Sequence, residues 1–256
     1  MTGEEAPGRT IIRVTGKDRE SFLQGLVTND LRRLREGAVY AALLTPQGKY
    51  LADFFLYPAE DAVLLDVAEP LADGLLRRLS LYRLRADATL ERTGLHVHRG
   101  LGPVPAGAFA DPRHPAMGWR SVVETAGTAP ATDWDALRVA ELIPETLIEL
   151  RPDESYILEM GFERLNGVDF RKGCYVGQEV TARMKHKTDL RKGLARVQIA
   201  GEAAPGATIF SDGKEAGHIC TRSGDDAIAY LRFDRAGDGM RAGDAVVRMA
   251  GPAPVT

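Results

Sequence analysis

The chain has 256 residues, 44% hydrophobic and 27% charged, a balance that argues against disorder and fits one large or two closely packed domains. A formal net charge of -3 supplies no broad field to gather nucleic acid or an anionic membrane, and no apolar run reaches bilayer-spanning length. Two cysteines, Cys174 and Cys220, are too few for a disulfide framework or a four-thiolate zinc site.

The opening MTGEEAPGRT is acidic and polar, without the charged-then-apolar pattern of a signal peptide, so a cytoplasmic protein of bacterial type is expected. Residues 10–14 (TIIRV) read as a strand closed by Gly16. Asp18 then caps a helix with Phe22, Leu23, Leu26 and Val27 on one stripe. Asn29 and Asp30 form a capping turn before Leu31 and Leu34 resume the apolar face.

Residues 39–45 and 50–57 read as strands joined by Pro46, Gln47 and Gly48, a compact hairpin turn, and 62–67 follow as a third strand. Asp53 stands out as a carboxylate in an aromatic and aliphatic strand; alternation leaves open whether it faces solvent or a site. Residues 70–83 have helical spacing of Leu71, Leu75, Leu79 and Tyr82, with Arg77, Arg78, Arg83 and Arg85 crowding the later turns. Residues 88–92 return as a strand. Helix, three strands, helix, strand is an α+β pattern with a mainly antiparallel sheet. His96 and His98 share one strand face but lack a third ligand at fitting spacing, and read as solvated residues.

Residues 100–118 are loop-like, and 119–124 form a short strand. Asp133 caps a helix carrying Trp134, Leu137, Val139 and Leu142, ended near Pro144. Residues 171–184 read RKGCYVGQEVTARM, a tight glycine-bounded loop opening into a helix from Gly177 onward. Cys174 lies there beside Arg171, Lys172 and the helix start, surroundings that suit a reactive thiol; a small structural cysteine in a turn is the alternative. Residues 186–189 read as a polar turn. Residues 194–200, 208–211, 217–221, 227–233 and 245–249 are short strands divided by Gly- and Asp-containing turns, the mark of a small antiparallel barrel. Cys220 falls mid-strand and reads as buried and structural, and the PAPVT end looks loose.

KGCYVGQE, with Arg183 four residues beyond Glu179, resembles the signature of the YgfZ family of folate-binding proteins, and FLQGLVTND and LLTPQGKYLADFFLY resemble that family too. The family is related in fold to the aminomethyltransferase (T-protein) of glycine cleavage, and its mitochondrial relatives serve iron–sulfur protein maturation. The resemblance implies an α+β body of two interlocked subdomains over residues 1–190 and a C-terminal β-barrel over 191–256. It also implies a tetrahydrofolate (or one-carbon derivative) site. Asp53 matches a T-protein aspartate at the folate site, and Arg138 matches an arginine of that fold. The acidic residue and asparagine that the family carries before KGC correspond best to Glu154 and Tyr156 here.

A reduced pterin offers a guanidine-like edge to a carboxylate, a flat body to an apolar cleft, and a glutamate tail to basic groups. Asp53, Asn29, Arg138, Tyr175, Glu179 and Arg183 are the candidate cofactor-binding residues, and Cys174 with Lys172 the candidate reactive pair. Reduced folate and iron–sulfur assembly proteins or client enzymes are the partners implied, with no membrane and no strong sign of nucleic acid. Three readings follow: a folate-binding factor for assembly or repair of iron–sulfur proteins, a folate-dependent aminomethyl or one-carbon transferase, and an interaction module that keeps the fold without ligand chemistry. The cysteine motif favours the first. Two cysteines also argue against a cluster ligated by one chain alone, since ligation generally takes four protein ligands.

Overall fold

A computed structural model describes residues 3–187 and 190–251. The PAPVT end lies outside the described residues, as do two of the four residues of the expected turn at 186–189. The chain divides into two compact units, each discontinuous in sequence: Met1–Thr132 with Glu163–Gln178, and Asp133–Phe162 with Glu179–Thr256.

In the first unit, β1 (Glu4–Glu5), β2 (Arg9–Thr15), α1 (Arg19–Gln24) and a 3₁₀ turn (Leu31–Arg35) precede β3 (Val39–Leu44), β4 (Tyr50–Pro58) and β5 (Val63–Ala68). Then come α2 (Glu69–Arg83), β6 (Thr89–Arg92), β7 (His96–Gly100), β8 (Phe109–Ala110) and β9 (Trp119–Val123). Five strands in the order β3-β4-β5-β2-β6 form one antiparallel sheet, and β1-β7-β9-β8 form another. Glu4 and Glu5 of β1 pair with Arg99 and His98 of β7. His98 is buried rather than solvated, its Nε2 2.9 Å from the Thr125 carbonyl, while His96 meets Glu5 at 3.0 Å.

The hairpin forms where turn chemistry places it. Gly48 N–H donates to the Thr45 carbonyl at 2.8 Å, and Gly48 takes φ 76, which a side chain would strain. Central β4 is covered on both faces. Ala52, Phe54 and Leu56 join the core with Leu23, Leu31, Leu75 and Leu79 from the helical elements. Asp53, Phe55 and Tyr57 take the opposite face by the period-two rule and are buried as well. The solvent-facing alternative for Asp53 fails because this sheet has no open face there.

Asp18 precedes α1 without making a side-chain cap; its Oδ2 accepts from the Asp87 N–H at 2.9 Å. Asp30 does cap the 3₁₀ turn, accepting from Arg32 N–H at 3.0 Å.

The second unit holds α3 (Trp134–Ala140), α4 (Gln178–Lys187, whose first residue belongs to the first unit) and a closed six-stranded barrel. Its strands are β10 (Lys192–Ala200), β11 (Thr208–Ser211), β12 (Lys214–Ser223), β13 (Asp226–Arg232), β14 (Arg241–Ala242) and β15 (Ala245–Met249), in the order β10-β13-β12-β11-β14-β15. Alternate residues such as Val197, Ile199, Ile219, Ala229 and Val247 fill it. His186, expected in a turn, continues α4. The register of β12 against β13 shifts between Ile219 and Thr221, so Cys220 sits at a bulge.

Candidate functional site

Asp53 is the centre of a hydroxyl-lined niche in the first unit. Tyr50 donates to its Oδ1 at 2.7 Å and Tyr40 to its Oδ2 at 3.0 Å. Strict alternation would send Tyr50 to the other face from Asp53. The β3–β4 register shift, where Leu43 pairs with Ala52 but Leu44 with Tyr50, leaves Leu51 extra and turns Tyr50 back. Burial, with the Asp53 charge adding to it, holds the Tyr40 hydroxyl well above the usual phenol range, so it stays protonated and donates.

Beside this niche lies a buried ionic layer that sequence reasoning passed over. Three guanidinium groups surround the Phe55 ring: Arg120 at 4.0 Å from its centroid, Arg113 at 4.8 Å and Arg9 at 5.7 Å. Arg120 donates to Asp66 Oδ2 at 2.7 Å and to the Tyr57 hydroxyl at 2.9 Å. Arg9 closes on Asp66 Oδ1 at 2.6 Å, and Arg113 on Asp111 at 2.8 Å. Burial works to raise the carboxyls of Asp66 and Asp111, but the arginines outweigh it and hold both below the usual carboxylate range. Asp66, at a buried position of an aliphatic strand, was the one signal of this layer open to sequence reading.

Asn29 is buried and ties strand to loop. Its Nδ2 donates to the carbonyls of Tyr40 at 2.8 Å and Asn166 at 2.6 Å, and its Oδ1 accepts from Asp30 N–H at 2.8 Å. Asn166 takes φ 54, a left-handed conformation that asparagine tolerates better than most residues. It lies just before the KGC loop, a position the sequence reading had left unused in favour of Tyr156. A cavity of about 420 Å³ opens beside these two asparagines, walled by Val39, Tyr40, Phe109 and Pro112.

The KGC loop sends its neighbours different ways. Lys172 is buried, and its ammonium donates to three backbone carbonyls, Gln24 at 2.7 Å, Val27 at 2.5 Å and Asn29 at 3.0 Å. These lie at and just beyond the last turn of α1, where a cation meets the negative end of the helix. Burial lowers the ammonium to about 8 against the opposing pull of Asp30 and Asp169. Tyr175 is buried, its ring centroid 5.2 Å from the Lys172 Nζ. Cys174, between them, is exposed. Gly177 takes φ 84 where a Cβ would stand 2.6 Å from the Thr45 carbonyl oxygen, so the loop packs directly on the β3–β4 hairpin. Asp53, Asn29, Lys172, Cys174 and Tyr175 therefore all belong to the first unit.

Arg138, Glu179 and Arg183 belong to the second unit, as do Glu154 and Tyr156. Arg138 is buried there and donates to the Ile143 carbonyl at 2.9 Å, Asp135 at 2.9 Å and Thr221 at 3.2 Å, contacts that give it a structural place. Glu179 and Arg183 form an exposed ion pair one helical turn apart at 2.7 Å. Cys220 is buried, its thiol pushed up to about 12 by burial and by the charge of Glu149. No group of three or more His, Cys, Asp or Glu side chains suited to a metal occurs among the described residues.

Residues 191–256 match the family model of the CAF17 C-terminal beta-barrel domain. The mouse mitochondrial iron–sulfur cluster assembly factor IBA57 is 32% identical over 89% of this chain and 76% of its own length. This chain belongs to the IBA57 family. The human member is also 32% identical, over 88% of this chain and 75% of its own. In structure the chain is similar to the glycine cleavage system aminomethyltransferase T from Bartonella henselae, with a TM-score of 0.77 and 12% identity over 96% of this chain and 84% of that one. The T-protein-like α+β fold and the closed barrel expected from sequence are thus borne out. The comparisons support the family resemblance at the level of IBA57-type assembly factors. They overturn the expected bacterial cytoplasmic location, because the relatives bear mitochondrial names. Among the described residues no helix is long and apolar enough to cross a membrane.

Proposed function

We propose that this protein serves iron–sulfur cluster assembly, with reduced folate bound at the Asp53 niche and Cys174 as its working thiol. The observation that carries the first part is family membership, 32% identity across 89% of the chain. The folate part is supported by chemistry. A buried carboxylate held by two phenols, on a strand face shared with Phe55, suits the guanidine-like edge and flat body of a pterin. Lys172 is committed to three backbone carbonyls, so the tail falls to other groups. Cys174 is an exposed thiol on a glycine-bounded loop, the form a transfer or protection step requires.

Two measurements test this reading. Tetrahydrofolate should raise the melting temperature in a concentration-dependent way, and Asp53→Asn should weaken binding about tenfold or more. The gene should restore iron–sulfur enzyme activity in cells lacking their own family member, whereas Cys174→Ser at matched protein levels should not. Absence of any thermal shift at saturating tetrahydrofolate removes the folate site, and full rescue by Cys174→Ser removes the thiol. The second reading, an aminomethyl or one-carbon transferase, draws on the similarity to aminomethyltransferase T, which speaks for the fold alone. Tetrahydrofolate-dependent aminomethyl transfer that survives Cys174→Ser would favour it.

A further inference from the structure

The C-terminal end of α2 carries a surface feature that the folate site and the cysteine loop do not use. The helix already has its apolar partner, since Ala72, Leu75 and Leu79 are buried in the sheet-facing core. Leu81 and Leu84 stand outside that stripe, 77% and 89% exposed, whereas no other exposed large apolar side chain among the described residues exceeds 48%. Leu84 also follows the helix at φ 42 and ψ -101, in the left-handed region where glycine is the usual residue and a branched side chain is strained. A leucine held there against its backbone preference, with its side chain in solvent, adds little to the fold of this unit.

Arginines dominate the surroundings of the two leucines, with exposed Asp87, 3.9 Å from Lys17, at the border. No acidic residue occurs from Gly74 to Ala86, and Arg77, Arg78, Arg83 and Arg85 are all exposed. Arg83 donates to the Ala88 carbonyl at 3.3 Å. Arg77 and Leu81 are one helical turn apart and share a face. Two adjacent apolar knobs within a cationic rim match the anatomy of a protein interface, with an apolar anchor that fills a pocket and a charged rim that steers approach. A lipid surface fits less well, because an interfacial helix lays a long apolar stripe into the bilayer and the stripe of α2 is buried in protein.

We infer that the end of α2 is a docking surface for an acidic protein partner, whose carboxylates meet the arginine rim around a shallow apolar pocket that takes Leu81 and Leu84. This surface is separate in sequence from Asp53 and Cys174 and does not depend on the folate reading.

The test places a photo-crosslinking amino acid at Ser80 of the full chain, expressed in the cells that naturally make it. The expected adduct joins a second protein through a segment rich in Asp and Glu. It falls about tenfold in Leu81→Ser/Leu84→Gly and in Arg77→Glu/Arg78→Glu, and it weakens with added salt. Leu84→Gly alone should leave the melting temperature equal or raised, because it relieves the backbone. An adduct to a second copy of this chain, to lipid, or to a protein at the same yield in the leucine variant overturns the inference, as does no adduct. Co-sedimentation of the purified chain with phosphatidylserine-doped vesicles that is lost in the leucine variant assigns the patch to membrane instead. A fall of several degrees in Leu84→Gly would show that Leu84 serves the fold, and also overturns it.

Discussion

Replacing Lys172 by methionine separates a structural lysine from a thiol-tuning one. The ammonium donates to the carbonyls of Gln24, Val27 and Asn29 at 2.7, 2.5 and 3.0 Å. Lys172→Met keeps the stem and leaves three buried carbonyls without their donor, each at a cost of about 1 kcal/mol or more, so about 3 kcal/mol of stability is expected to be lost. In a chain of this size that lowers the melting temperature by about 6–12 °C. Differential scanning fluorimetry of the two proteins reads the shift directly, with alkylation of Cys174 followed well below both transitions. A melting temperature within about 2 °C of the native value, joined to a large fall in Cys174 labelling rate, would refute the structural assignment. Lys172 would then act on the thiol.

Three further outcomes follow from the same geometry. Folded Lys172 holds its proton less tightly than the unfolded chain, about 8 against 10.5, so the unfolded state binds more protons between those values. Stability should therefore rise with pH from about 8 to about 10, and urea midpoints across that range should lose the slope in Lys172→Met. Gly177→Ala puts a Cβ 2.6 Å from the Thr45 oxygen and 2.9 Å from the Leu44 Cβ at φ 84, and should destabilise the first unit by about 2–4 kcal/mol in denaturant titration. Mild alkylation at neutral pH should label exposed Cys174 and leave Cys220, buried and pushed up to about 12, until the barrel unfolds; equal labelling of both thiols by mass spectrometry would contradict the burial.

The sequence alone determined what neighbouring residues encode. Pro46, Gln47 and Gly48 specify the hairpin because turn geometry is a property of four residues, and Gly48 indeed takes φ 76. Alternation and turn spacing specified the barrel strands, and the glycine-bounded KGCYVGQE string specified a loop running into α4, where the structure leaves Cys174 exposed. The tertiary structure alone decided how buried polar groups pair. Lys172 meets carbonyls 143 to 148 residues away, and nothing in RKGC says so. Asp53 read as equally suited to solvent or to a site until a second layer covered its face of β4. Arg113 and Arg120 lie in stretches read as loop and short strand, yet they converge with Arg9, Asp66 and Asp111 around one phenylalanine ring. Turns and periodic strands are set by local sterics and solvent exposure, which the chain writes residue by residue. A buried charge is stable only beside its partner, and which distant segments meet is fixed by the packing of whole sheets.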